Sequence, residues 1–245
     1  MYGVKQMKHY YSLFSGGFDS TLATLKVIRE NEPLKLTPIF FNYGQKSKEK
    51  EAEAVKKLVP AFREFARDAN TKIDECRMFE TGQLFSWSQS AILVGAPTRG
   101  DVGLENRNLI LISCVASIIV ADYKDKALKD VIEIVTGFTN GYYDTTSAFA
   151  DRMSKLFESM EQKIKVITPL IPEGQTEEVT YGELAKLAHS LGVISLLKNT
   201  TWSCYYPQQG NKSCGQCPPC KKRKTIFAEW GMKLVKRKKD ESMSK

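Results

Sequence analysis

A glycine turn joins a short apolar segment to a helical pattern near the start of the chain, and this junction constrains the fold most. Residues 10–14 are apolar or aromatic except for Ser12, and this short β-prone segment ends at Ser15-Gly16-Gly17. From Thr21 onward, apolar residues recur three to four positions apart, as in a helix. Strand-like and helix-like segments keep alternating further along. The sequence therefore predicts an α/β fold, with a Rossmann-like, mostly parallel sheet and helices on both faces.

The later elements follow from hydrophobic periodicity. Helices are expected over 47–69, 109–123 and 148–160. Strands are expected over 36–43, 71–79, 131–138 and 164–170. Pro60 predicts a break or kink in the first of these helices. Thr180 and Glu183 form a capping-box pattern that opens one more helix, and Gly192 is placed to end it.

Composition excludes several classes of protein. Of the 245 residues, 42% are hydrophobic and 26% charged, which is typical of a globular protein. An uninterrupted apolar run of about 18 residues, as a membrane span requires, is missing. The N-terminal residues do not resemble a secretory signal. We therefore expect a cytoplasmic protein without a membrane partner.

The net charge of +8 is concentrated near the C-terminus. Residues 221–239 hold nine of the 36 Lys and Arg residues and one of the 28 Asp and Glu residues, so the rest of the chain is balanced. A field that would bind nucleic acid along the whole molecule is not indicated. We interpret the stretch as a solvated helix end followed by a frayed tail. The alternative is a contact with phosphate, from a nucleotide or a nucleic acid.

The turn after the first strand has the properties of a phosphate site. Two glycines let backbone N–H groups approach an anion, and a helix start adds unpaired N–H groups and a positive dipole end. The pattern is neither a Walker loop, since no lysine follows the glycines, nor a dinucleotide GxGxxG motif. A pyrophosphate would fit such a loop. We call it the phosphate loop, comprising Phe14, Ser15, Gly16, Gly17, Phe18, Asp19, Ser20 and Thr21.

Asp19 is unusual in such a loop, because its charge would repel a bare phosphate. It is consistent with the loop if the carboxylate holds a Mg²⁺ ion that bridges a pyrophosphate. The simpler interpretation is an ordinary turn with Asp19 as a helix N-cap.

Four of the six cysteines lie within a short C-terminal stretch, in the spacing C-x9-C-x2-C-x2-C. Zinc prefers four thiolates in a tetrahedron, and each C-x2-C turn can place two sulfurs on one ion. A structural zinc is the prediction, with redox thiols or an iron–sulfur cluster as alternatives. Cys76 and Cys114 are expected to be buried, inert thiols. The cysteine cluster consists of Cys204, Cys214, Cys217 and Cys220.

Two motifs together resemble a known family. Ser-Gly-Gly-x-Asp-Ser after an N-terminal strand resembles the loop of the N-type ATP pyrophosphatases, which cleave ATP between its α and β phosphates. Trp202-Ser203-Cys204-Tyr205, followed by Cys-Gly-x-Cys-x-x-Cys, resembles the C-terminal signature of 7-cyano-7-deazaguanine synthases. The resemblance extends over about residues 10–231. Other stretches that resemble that family are Tyr43-Gly44-Gln45, Arg107-Asn108-Leu109, Gly141-Tyr142 with Asp144, and Thr168-Pro169-Leu170.

The resemblance implies an adenine nucleotide alpha hydrolase-like domain over 1–198, a zinc-binding element over 199–235 and a basic tail over 236–245. It implies a C–N bond-forming ligase of 7-deazaguanine (queuosine) biosynthesis. Such an enzyme uses ATP and Mg²⁺ to convert 7-carboxy-7-deazaguanine and ammonia into 7-cyano-7-deazaguanine. Relatives of this kind are often homodimers.

The site residues follow from the same resemblance. Ser15, Asp19 and Ser20 would act in catalysis, within a nucleotide site formed by the phosphate loop. Lys46 or Arg107 would supply a further cation, with a salt bridge as the alternative for each. Tyr142 and Asp144 are assigned to binding of the purine-like substrate. The cysteine cluster is assigned to Zn²⁺.

Departures from the family pattern leave alternatives open. The chain has Asn42 and Lys46-Ser47 where the family has Asp and Arg-His, Tyr181 where it has lysine, and Thr145-Thr146 where it has Cys-Arg. One alternative is a related enzyme acting on tRNA, by thiolation or lysidine formation. Another adenylates a different substrate in DNA modification or defence. The last is a nucleotide-binding module without turnover.

Overall fold

The computed structural model describes residues 7–82, 84–94, 103–124 and 130–228. Its strands are β1 (Lys8–Leu13), β2 (Leu34–Asn42), β3 (Lys72–Ile73), β4 (Arg77–Glu80), β5 (Ile132–Val135) and β6 (Ile164–Ile167). Its helices are α1 (Phe18–Asn31), α2 (Lys48–Phe65), α3 (Arg107–Asp122), α4 (Ser147–Ser159), α5 (Tyr181–Ser190), α6 (Ile194–Thr200) and α7 (218–228).

All the strands pair in parallel, in the order β3-β2-β1-β5-β6, and β4 also pairs with β2. Strands β2 and β5 lie on opposite sides of β1 within the sheet, and the chain forms the β2 side before the β5 side. Since crossovers are right-handed, this reversal places α1 and α2 on one face of the sheet and α3 and α4 on the opposite face. The predicted α/β class, with a parallel sheet between helices, is confirmed.

The reversal also determines where a ligand fits. In open parallel sheets, ligands bind at the carboxyl ends of the strands, where strand order changes direction. Here that point lies between β1 and β5. The phosphate loop follows β1 directly, so the fold places it in the crevice that this topology creates.

The core lies around the central strand. Tyr10, Tyr11 and Phe14 are at most 1% exposed, and the apolar residues of β2 and β5 continue the buried layer. On the face of α3, Leu111, Ile112 and Val115 pack into the same cluster. The helix predicted over 109–123 is confirmed, but only one of its faces is buried, because Ser117, Val120 and Ala121 are exposed.

Three elements differ from the sequence prediction. Helix α2 continues through Pro60, which is exposed and so lies on the side of the helix away from the core. The strand expected over 71–79 is divided into β3 and β4, which pair with successive parts of β2. Helix α6 was not predicted, since seven residues are too few to show a helical period.

The capping box is confirmed. The N–H of Glu183 donates to the Thr180 hydroxyl at 3.2 Å, and the N–H of Thr180 donates to the Glu183 carboxylate at 2.7 Å. Gly192 follows the helix with φ of +73°, as expected for its C-terminal glycine.

Within the described residues, no helix has both the length and the apolar character of a membrane span. The predicted tail, 236–245, lies outside the described residues.

Candidate active site

The phosphate loop makes a tight bend between β1 and α1. Gly16 has φ of +70°, and a Cβ added there would lie 3.0 Å from the Glu51 carbonyl oxygen, so only glycine fits. A Cβ on Gly137, just after β5, would lie 2.6 Å from the backbone nitrogen of Ser20. The end of β5 therefore passes directly against the first turn of α1. The sequence analysis did not single out Gly137, although a glycine inside a predicted strand, here 131–138, is a signal of close backbone approach.

The first turn of α1 is open toward the crevice. Its N-cap residue is Gly17, and no side chain of the described residues caps the helix. Ser15 and Ser20 lie together, with hydroxyl oxygens 3.1 Å apart, whereas the Thr21 hydroxyl is buried and donates to the Gly17 carbonyl at 2.6 Å. The loop thus presents helix N–H groups and two serine hydroxyls, the donors that an anion requires. Thr21 supports this turn from within.

Asp19 lies beside a cation that the sequence did not assign to the site. The Lys222 ammonium donates to Asp19 Oδ2 at 2.9 Å. Asp19 Oδ1 is buried and has no hydrogen-bond partner among the described residues. Lys222 belongs to the basic stretch that was interpreted as solvated, and for this residue the alternative of a position near the phosphate site is the better description. The exposed neighbours Lys221 and Lys224 fit the original interpretation.

A cleft of about 330 Å³ extends from the phosphate loop. Arg107, at the start of α3, reaches into it and donates to the Tyr43 hydroxyl at 3.5 Å. Burial opposes the charge of Arg107, but Tyr43, Tyr205 and Asp144 hold its pKa above the ordinary value. The cleft thus contains a permanent, partly desolvated cation, suited to a phosphate or carboxylate.

Glu51 forms part of the same wall. Burial raises the pKa of its carboxyl group, while hydrogen bonds from Ser47 and Gln45, at 2.6 and 2.8 Å, act in the opposite direction. The pKa of Tyr205 is raised to about 12, mainly by burial. These shifts reflect the burial of Glu51 and Tyr205 in the wall of the cleft, where charges interact more strongly than in bulk water.

The predicted substrate residues are only partly in the cleft. Tyr142 is 67% exposed and lines the rim. Asp144 accepts a hydrogen bond from Asn108 at 3.0 Å and is not among the lining residues. Lys46 also lies outside the lining, where its ammonium donates to the Ala91 carbonyl at 2.8 Å. Thr146, which replaces a family arginine, caps α4 by accepting from the N–H of Phe149.

The cysteine cluster is assembled as its spacing predicts. The four sulfur atoms lie within 4.8 Å of one another, and those of Cys214 and Cys220 are 4.0 Å apart. Tetrahedral zinc with Zn–S distances of about 2.3 Å places its sulfurs about 3.8 Å apart, so the four residues fit a metal ion. None of the six cysteines is in a disulfide.

Backbone N–H groups point at two of these thiols, and their effect on the pKa differs: burial dominates at Cys204 and raises its pKa to about 11. The N–H groups of Tyr206 and Cys214 donate to the Cys204 sulfur at 3.3 and 3.2 Å. Burial opposes ionisation of Cys214, but the N–H groups of Gln216 and Cys217 lower its pKa to about 7. Outside the cluster, Cys76 and Cys114 are only partly buried, so the prediction of fully buried thiols is wrong, although burial still raises the pKa of Cys76 to about 12.

The cysteine cluster borders the cleft. The N–H of Trp202 donates to the Gly16 carbonyl at 3.0 Å, which joins the cysteine-bearing segment to the phosphate loop. Pro218 and Pro219, which lie between Cys217 and Cys220 in the sequence, line the cleft. The two motifs that the sequence presents far apart therefore form adjoining walls of one site.

A parallel sheet with an open helix N-terminus at its switch point defines a Rossmann-like protein with a crevice for a phosphate-bearing ligand. A family model described as queuosine biosynthesis protein QueC matches residues 10–231. The chain belongs to this family, as its motifs indicate.

Curated relatives agree with the family assignment. The 7-cyano-7-deazaguanine synthase of Saccharolobus solfataricus is 32% identical over 226 residues, which are 89% of this chain and 45% of the relative. That of Sulfolobus acidocaldarius is 30% identical over 94% of this chain and 47% of the relative. The chain thus spans about half the length of these two. The 7-cyano-7-deazaguanine synthase of Methanococcus aeolicus is 29% identical over 235 residues, which are 90% of this chain and 94% of the relative.

Proposed function

We propose that the protein uses ATP to convert 7-carboxy-7-deazaguanine and ammonia into 7-cyano-7-deazaguanine, as a ligase of queuosine biosynthesis. The observation that carries this proposal is the position of the phosphate loop: an open helix start, at the switch point of a parallel sheet, in a chain of the QueC family. The names of the curated relatives supply the product.

The chemistry explains why ATP is needed. A carboxylate repels nucleophiles and has no leaving group. Its oxygen attacks the α-phosphorus of ATP, pyrophosphate departs, and ammonia then displaces AMP to form an amide. The amide oxygen is adenylated by a second ATP in the same way. Loss of that oxygen with AMP, together with the N–H protons, gives the nitrile.

The residues of the phosphate loop serve mainly to position ATP and to stabilise departing charge. The N–H groups at the start of α1 and the hydroxyls of Ser15 and Ser20 bind the pyrophosphate portion. Asp19 fits a Mg²⁺ ion, since its buried Oδ1 lacks a partner among the described residues. That ion would neutralise charge on the phosphate oxygens.

The remainder of the cleft binds the deazaguanine. Arg107 is placed to attract the substrate carboxylate or a phosphate, and Tyr142 offers an aromatic surface at the rim. Asp144, held by Asn108, is a short distance along the same loop and would accept from a guanine-type N–H edge. Lys46 requires movement of its side chain to reach a ligand, since it donates to Ala91.

The cysteine cluster holds Zn²⁺ in this proposal. Four thiolates leave no open coordination position, so the ion has a structural role and fixes the wall formed by Pro218 and Pro219. We also propose the division into an α/β domain over 1–198, a zinc-binding element over 199–235 and a basic tail over 236–245, and assembly as a homodimer.

A product assay tests the proposal. Incubation with 7-carboxy-7-deazaguanine, ammonium and Mg-ATP should release AMP and pyrophosphate and yield the nitrile, detected by mass spectrometry. The amide intermediate should also be converted, with one fewer ATP consumed. AMP release that depends on tRNA instead would contradict the proposed substrate and support a tRNA-modifying activity.

A further inference from the structure

We propose that Lys222, on α7, supplies the cation that the phosphate loop itself lacks, by contacting the β and γ phosphates of ATP. The inference rests on the proposed function, because it assumes that ATP binds at this loop. It adds a ligand-binding residue from the far end of the chain to a site that its sequence motif locates near residue 15.

The loop needs such a cation. A Walker loop carries its own lysine beside the glycines, and residues 14–21 contain no basic side chain. Lys222 lines the same cleft as Ser15 and Asp19, and its side chain is only 18% exposed. Its ammonium, 2.9 Å from Asp19 Oδ2, already lies at the start of α1, where the helix N–H groups face the crevice.

The helix that carries Lys222 is firmly attached to the α/β core. Arg223 donates to the Thr201 hydroxyl at 2.6 Å and to the Leu197 carbonyl at 3.2 Å. The Phe227 ring packs edge-on against Phe18, the first residue of α1, with centroids 5.8 Å apart. Helix α7 begins inside the cysteine cluster, so a bound metal would also fix its start. These contacts position Lys222 relative to the loop.

A purely structural role for the Lys222–Asp19 pair explains less. Partly exposed ion pairs contribute little to stability, and this one leaves Asp19 Oδ1 without a partner among the described residues. Mg-ATP offers both groups a stronger partner: phosphate oxygens for the ammonium and a divalent cation for the carboxylate. Without ligand, Lys222 and Asp19 pair with each other. When Mg-ATP binds, the ammonium can contact the phosphates and the carboxylate can contact the cation.

Calorimetric titration of the full chain with Mg-ATP and with AMP tests this role. Lys222→Met should weaken Mg-ATP binding by about 10- to 100-fold, the effect of losing a hydrogen bond to a charged group. AMP lacks the β and γ phosphates, so its affinity should change by less than about twofold. Lys221→Met, at the exposed neighbouring position, is the matched control and should bind both ligands as the wild type does. Lys222→Arg should recover most of the Mg-ATP affinity because it retains the charge.

Equal Mg-ATP affinity in the Lys222→Met and Lys221→Met proteins would overturn the inference. An equal loss for Mg-ATP and AMP would also overturn it, since that pattern indicates a general disturbance of the cleft. If the methionine variant does not fold, Lys222→Gln provides the same comparison with a polar side chain. A wild-type protein that binds no Mg-ATP would instead contradict the proposed function, so the two failures are distinguishable.

Discussion

The two ends of the parallel sheet hold different sets of polar groups. Buried side-chain atoms without a partner among the described residues occur at both ends, and those of Arg29 and Thr71 lie at the amino end. At the carboxyl end, Asp19 keeps one buried oxygen without a partner among the described residues, and the start of α1 has no side-chain cap. At the amino end, His9 lies between two hydroxyls, those of Tyr123 and Thr37, and Thr37 in turn donates to Asp74 at 2.6 Å. Buried polar groups are costly unless paired, so an unpaired one at a switch point indicates a ligand site.

The amino-end network joins residues of four elements, β1, β2, β4 and α3. Tyr11 donates to Asp122 at 2.7 Å, and Arg77 forms an ion pair with the same carboxylate at 2.6 Å. Lys35 pairs with Asp74 at 3.5 Å. Satisfied groups of this kind stabilise packing between β1, β2 and α3. The comparison therefore predicts that changes at the carboxyl end affect function and changes at the amino end affect stability.

The largest effect is expected from Asp19→Ala. Loss of the carboxylate should reduce AMP release by about 100-fold or more, because the site loses a group that organises charge on the phosphates. Stability should change by about 1 kcal/mol or less, since the Lys222 pair is partly exposed. Steady-state assays and urea denaturation measure the two quantities. Asp151→Ala, on the exposed side of α4, is the control, and retained turnover in Asp19→Ala would remove that residue from the mechanism.

Loss of the metal should have the next largest effect. We expect about one zinc per chain by elemental analysis. Cys217→Ser should remove the metal and weaken Mg-ATP binding, because α7 and the Pro218–Pro219 wall lose their anchor. Cys76→Ser lies outside the cysteine cluster and should retain the metal. Visible absorption typical of an iron–sulfur cluster would contradict the zinc assignment.

His9 should control stability but not turnover. Burial, followed by the Lys35 charge, lowers the pKa of His9 to about 4. The unfolded chain binds the proton at its ordinary pKa, near 6.5, so stability is lost as the pH falls below that value toward 4. The loss should reach about 2 kcal/mol between about pH 7.5 and about pH 5.

His9→Gln should flatten this pH dependence in urea denaturation and leave AMP release within about twofold of the wild type at about pH 7.5. His189 is the chain's other histidine and is exposed, so His189→Gln is the matched control and should leave AMP release within about twofold of the wild type. A reduced turnover in a folded His9→Gln protein would contradict the prediction that changes at the amino end of the sheet affect stability and not function.

The smallest effect is expected at Arg77. Its ion pair with Asp122 is partly exposed, with side-chain exposures of 39% and 31%. Arg77→Met should lower stability by about 1 kcal/mol or less and leave Mg-ATP affinity unchanged. A loss of Mg-ATP affinity would show that the amino-end network is coupled to the cleft.

The sequence alone predicted features that depend on neighbouring residues. The turn at Gly16, the capping box at Thr180 and the cysteine spacing all involve residues a few positions apart, so local patterns reveal them. The parallel sheet was also predictable, because strand and helix segments alternate. Helix α6 and the interruption between β3 and β4 were not, since short elements carry too little periodicity.

Contacts between distant residues could not be predicted. Lys222 and Asp19 are 203 positions apart, and nothing near either residue indicates the other. Gly137 lies against α1 only because the strand order places β5 next to β1. Similarly, the hydrogen bond from Asn108, which lines the cleft, to Asp144 joins residues 36 positions apart.

The most direct test of the central claim is a crystal structure with Mg²⁺ and α,β-methylene-ATP, which resists cleavage between the α and β phosphates. We expect the β and γ phosphates to lie against the N–H groups at the start of α1, beside Ser15 and Ser20. Lys222 should then point toward them and Asp19 toward the cation. A phosphate loop without bound phosphates at saturating analogue would contradict the proposal that ATP binds at this loop.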